Sequence, residues 1–144
     1  MDKVNLNWFG SFDFYGNKHN AEVLNKSVGI YMILDSELGV GKNRPWDSEL
    51  LYVGMVYNQP VWQRILQHGR SELERWLDKE AENYVKFKVA TIEPLTISRI
   101  TKKLVEDIEA VIIYYYEPPG NIRNCQSYNG RKLEIANIRN FEPL

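Results

Sequence analysis

The chain is poor in the residues from which disulfides and zinc sites are built. Cys125 is the one cysteine and His19 and His68 the two histidines in 144 residues, which excludes an internal disulfide and a Cys/His zinc constellation. Any metal must therefore be held by carboxylates. Long hydrophobic runs are also missing: no segment approaches the ~18 to 20 apolar residues of a membrane span, and residues 1–7 lack a secretory apolar region. No membrane association is expected, and the expected location is cytoplasmic. Excess charge of one sign is absent too, since the formal net charge of −1 lacks the broad basic surface of an indiscriminate nucleic-acid binder. The distribution is uneven: residues 71–82 sum to −3, whereas residues 120–140 sum to +3 through Arg123, Arg131, Lys132 and Arg139 against Glu134. The second stretch can present a basic patch; a merely solvated face is the plainer alternative.

What remains is an ordinary globular composition, 44% hydrophobic and 26% charged, in a length that suits one domain with a proper core. Residues 28–34 and 49–54 are two apolar runs of strand length separated by a loop, 35–48, that holds Gly39, Gly41 and Pro45. They predict a β-hairpin. Gly39-Val40-Gly41-Lys42 within the loop is not a phosphate-binding loop, because Ser36 stands at the first glycine position and Asn43 where Ser or Thr is needed. Upstream, Val4, Leu6 and Trp8 alternate with polar residues and predict a short strand, followed by aromatics at Phe9, Phe12, Phe14 and Tyr15 that are expected to pack on the main sheet.

Downstream of the hairpin, Pro60 starts a short helix that runs to about His68 and stops at Gly69. Arg64 and His68, four apart, share one face of it. Ser71-Glu72-Leu73-Glu74 reads as a capping box and starts a second helix to about Asn83. Val85, Phe87 and Val89 alternate with Lys86 and Lys88 in a half-buried strand ended by Pro94. From about Ser98 to Tyr116, Ile100, Leu104, Ile108, Val111, Ile112 and Tyr115 follow helical spacing. Glu109 is the anomaly of that helix: its helical neighbours are Val105, Ile112 and Ile113, so its carboxylate needs an Arg, hydrogen-bond donors or a metal ion. The C-terminal part holds a loop and then a short strand or helix.

The ordered set Gly29-Ile30-Tyr31, Tyr52-Val53-Gly54, Arg64, Glu109, Pro118 and Asn121, with Pro118 nine and Asn121 twelve residues beyond Glu109, resembles the motif set of the GIY-YIG nuclease family over residues 28–124. The long hairpin loop and Met55-Val56 depart from the family pattern. The resemblance implies a small α/β (α+β) domain, 1–144, with a central, mainly antiparallel sheet of three or more strands flanked by helices and with 1–27 as an N-terminal extension packed on the core. It implies hydrolysis of DNA phosphodiester bonds with one Mg²⁺ (Mn²⁺ as substitute) held by Glu109, and no organic cofactor. Tyr31 would be the general base, Arg64 would hold the phosphate, and Tyr52 and His68, the latter placed as in the restriction-enzyme branch, would orient water or Tyr31. Asn121 would hold a loop or site residue in place. Cutting both strands with one site per chain implies a homodimer. A repair or recombination nuclease and a non-catalytic nucleic-acid- or protein-binding module on the same scaffold are the rival readings.

Overall fold

The computed structural model describes residues 1–14, 22–37, 49–67, 84–124 (backbone only at 122–124) and 130–138. Among these, five strands form one sheet: β1 (Asp2–Asp13), β2 (Val28–Asp35), β3 (Leu50–Tyr57), β4 (Val85–Pro94) and β5 (Leu133–Ile138). Two α-helices accompany it, α1 (Val61–Gln67) and α2 (Lys102–Tyr116), with 3₁₀ turns at Glu22–Asn25 and Pro119–Asn124. The strand order is β3-β2-β4-β1-β5; every pairing is antiparallel except β1 with β5. The protein is therefore α+β with a mostly antiparallel sheet. No helix among the described residues is long and apolar enough to cross a membrane.

The hairpin forms as expected. β2 is apolar on both faces and buried from Gly29 onward because it lies inside the sheet, between β3 and β4. On one face Leu6, Trp8, Ile30 and Met32 pack under Leu104, Val105, Ile108 and Ile112 of α2. On the other, Tyr31, Ile33, Val56, Phe87 and Val89 pack under Val61 and Ile65 of α1 and Val23 and Leu24 of the first 3₁₀ turn. The sheet is the middle of three layers.

Four elements differ from the sequence reading. β1 is twelve residues long and sits between β4 and β5, so the N-terminal segment is part of the sheet rather than an extension packed on it. Its length was hidden by a bulge between Gly10 and Phe12, which breaks the alternation. β4 is central rather than half-buried, and Lys88, placed by alternation on a wet face, is only 6% exposed. α2 begins at Lys102 and not near Ser98, because the Thr101 hydroxyl accepts from the Leu104 N–H at 3.2 Å and caps the helix there. The C-terminal segment resolves as a strand, β5. The helix expected over 71–83, His68, and loop residues 38–48 lie outside the described residues.

Candidate active site at the edge of β3

β3 is an edge strand, and the residues of interest gather along it. Tyr31 lies opposite Gly54 in the β2–β3 ladder, and Tyr52 lies opposite Ile33, which places both tyrosines on the α1 face. Their rings stack with centroids 6.1 Å apart and planes 27° from parallel. The glycines of the two triplets permit this arrangement. A Cβ on Gly54 would fall 2.2 Å from the Tyr31 hydroxyl oxygen, and one on Gly29 would fall 2.6 Å from the Ala90 carbonyl oxygen of β4. Tyr31 thus crosses over bare backbone.

α1 delivers Arg64. Its first turn is hung on the preceding chain by a 3.0 Å bond from the Val61 N–H to the Lys26 carbonyl, and burial of Val61 and Ile65 turns Arg64 toward Tyr31. The guanidinium carbon stands 6.0 Å from the Tyr31 ring centroid. α2 supplies Glu109 from the opposite face of the sheet, and its carboxylate accepts from the backbone N–H of Met55 in β3. Edge strands expose such donors, and this one satisfies part of the need that Glu109 has among Val105, Ile112 and Ile113.

Burial dominates the electrostatics of these groups. Burial raises the Glu109 carboxyl from 4.5 to about 7; Glu106 one turn away pushes the same way, while Arg64 and the Met55 N–H oppose. Burial also raises the Tyr31 phenol well above 10, with Tyr52 and Glu109 adding to the rise and Arg64 lowering it. Tyr31 donates to Tyr52, whose phenol is raised less, again chiefly by burial. Tyr31 is 0% exposed and Tyr52 half-buried.

Asn121 holds the edge itself. Its carboxamide oxygen accepts from the Val53 N–H at 2.8 Å and its amide donates to the Val53 carbonyl at 2.9 Å, the two bonds a neighbouring strand would make. The Asn121 N–H in turn donates to the Pro118 carbonyl at 2.9 Å. Gly120 passes so close that a Cβ there would lie 2.6 Å from the Leu51 carbonyl oxygen and 3.0 Å from the Tyr52 ring. Asn121 thus anchors the β3 backbone at Val53, between Tyr52 and Gly54. Asn121→Ala leaves two buried backbone groups of Val53 without these partners and is expected to cost about 2–4 kcal/mol in urea unfolding. A cost below about 1 kcal/mol would mean that water replaces the carboxamide.

Tyr31, Tyr52, Arg64 and Glu109 are therefore brought together, Asn121 supports them from the edge, and His68 lies outside the described residues. The chain matches no family model, no curated protein and no solved structure. Two contributors were missed from sequence. Glu106 is legible in principle from its i−3 spacing to Glu109; the Met55 N–H is not, since a backbone donor leaves no mark on residue identity.

Proposed function

We propose that the chain is a metal-dependent endonuclease that hydrolyses DNA phosphodiester bonds at the β3 edge. The observation that carries this reading is the convergence of two tyrosines, an arginine and a partly desolvated glutamate drawn from four separate elements onto one strand edge. Such a cluster gives up stability that apolar residues would have supplied, a trade expected where chemistry is done.

The residues fit one hydrated Mg²⁺. Among the described residues no group of three or more His, Cys, Asp or Glu side chains is placed to hold a metal ion. Glu109, whose charge is disfavoured by burial and by Glu106, is the carboxylate a cation would relieve. Glu109 would hold the ion, and a Mg²⁺ bound there would supply charge neutralisation at the phosphate. Arg64 offers forked donors to non-bridging oxygens of the same phosphate. Asn121, through Val53, fixes where Tyr52 stands. Tyr31 holds its proton in the ligand-free chain, so its use as a base requires that Arg64 and the cation together offset burial. A chain with one such site that cuts both strands would act as a homodimer.

The burial of Tyr31 is also the observation that favours the second reading, a binding module on this scaffold that never deprotonates the phenol. Cleavage of supercoiled, linear duplex and branched DNA with Mg²⁺ or Mn²⁺ separates the two. The nuclease reading expects metal-dependent cutting that falls at least 100-fold in Tyr31→Phe and in Arg64→Ala. Equal background in the wild type and both folded variants would favour the binding module.

A further inference from the structure

We infer that the groove between β1, β4 and the first 3₁₀ turn is a subsite for an unpaired DNA base, which deepens and rests on the nuclease reading. The groove, about 670 Å³, has Phe9 and Phe12 of β1, Thr91 of β4, and Glu22 and Lys26 at the 3₁₀ turn on one side, and its apolar floor runs on to Val28, Ile92 and Ile100, which belong to the α2-side cluster. That volume lies in the range of small-molecule sites and admits a nucleobase with its sugar.

Three observations tie it to the β3 edge. First, its Phe9 and Phe12 wall shares the tyrosines' side of the sheet: Tyr31 is paired with Val89, and Val89 with Phe9, so Tyr31 and Phe9 lie in one transverse row across three strands. At about 4.8 Å per strand their backbones are about 10 Å apart, within reach of nucleotides joined along one strand of DNA.

Second, the two rings share the groove only because of the bulge in β1. Val4, Leu6 and Trp8 face α2, and Phe9 faces the other way. Regular alternation would then return Phe12 to the α2 side. The register shift at Gly10, which has a φ of +125°, instead brings Phe12 opposite Phe87 on the Phe9 side. Bulges next to active sites commonly re-aim a side chain in this way.

Third, the polar rim suits a nucleotide. The Lys26 ammonium is 3.9 Å from Glu22 in an exposed i,i+4 pair, a weak bond that yields readily to a phosphate. The Glu22 carboxylate is then left to accept from exocyclic amines of a base, the Thr91 hydroxyl can bond a base or its sugar, and the half-buried Phe9, beside a Phe12 ring that packs 5.3 Å from Phe87, offers the stacking surface that unpaired bases use. Paired bases in a duplex present no such face. The substrate class that follows is DNA with an unpaired nucleotide near the scissile bond, such as a flap, junction or mismatch.

The test is binding in EDTA, where hydrolysis plays no part. Fluorescence anisotropy of one labelled oligonucleotide, single-stranded and as a blunt duplex, is read for wild type, Phe9→Leu and Lys26→Gln, with thermal unfolding to verify folding. Phe9→Leu keeps apolar bulk and removes the ring. The single strand is expected to bind at least tenfold tighter than the duplex, Phe9→Leu to lose about tenfold on the single strand alone, and Lys26→Gln to lower the salt slope by about one. Equal affinity for both forms, or a folded Phe9→Leu that keeps the preference, would overturn the subsite. Single-strand preference without cutting in Mg²⁺ would sink the nuclease and keep the subsite; cutting without preference would do the reverse.

Discussion

Replacing Glu109 with Gln is expected to abolish metal-dependent cleavage, by a factor of 1,000 or more, while making the protein more stable at pH 8. Both effects come from the same carboxylate. Its folded pKa of about 7 stands above the ordinary 4.5, because burial and Glu106 disfavour the charge. The folded state therefore binds the proton more tightly than the unfolded state. Stability from this group is highest below pH 4.5, falls as pH rises through about 4.5 to 7, and is at its lowest above pH 7. Gln carries no charge to desolvate and keeps an oxygen for the Met55 N–H. The gain should grow from near zero at pH 4.5 to about 3 kcal/mol at pH 8, which chemical denaturation at several pH values would measure. Added Mg²⁺ should narrow the gap by stabilising the wild type alone. Equal stability across the pH range would show that the carboxylate is well solvated.

The second large effect is structural. Gly54→Ala sets a methyl group 2.2 Å from the hydroxyl oxygen and Cζ of Tyr31, far closer than any non-bonded contact allows. The ring has little room to retreat, since Tyr31 is 0% exposed beneath α1 and the first 3₁₀ turn. A loss of about 3 kcal/mol or more is expected, a large part of a typical domain's 5–15 kcal/mol. The cause is testable by a cycle: in a Tyr31→Ala background the same substitution should cost about 1 kcal/mol or less, the difference being the coupling. Gly29→Ala, which meets the Ala90 carbonyl at 2.6 Å, should gain nothing from that background, because its clash is with the backbone of β4. Additivity in both cases would mean that strand propensity, not the crossing ring, sets the need for glycine at position 54.

The sequence was legible where local pattern and tertiary environment agree. β2 and β3 are apolar runs bounded by turn residues, and α2 carries a long 3.6-residue period, so each could be read in place. β5 could not. Its six residues alternate half-buried with exposed at its start and are mainly exposed after that, so little local pattern marks them as a strand. It is held by parallel pairing with β1, a 2.9 Å bond from the Trp8 indole to Asn137, and the Arg131–Asp107 ion pair at 2.8 Å, all contacts remote in sequence. Lys88 was misplaced for a similar reason: alternation reveals the two faces of a strand but not whether both are covered. In the site, Glu109 stood out as a charge on an apolar helix face and Tyr31 and Tyr52 as part of a spaced set. The bonding of Asn121 to the β3 edge and the Met55 donor arise from backbone geometry, which residue identities do not encode.

The most direct measurement is single-turnover nicking of supercoiled DNA by wild type and Glu109→Gln, with and without Mg²⁺, at pH 8, where the wild-type carboxylate is ionised. The account predicts nicking by the wild type only with the metal, and none above background by an equally folded Glu109→Gln. Metal-dependent nicking that survives intact in Glu109→Gln would contradict the assignment of the β3 edge as the site of hydrolysis.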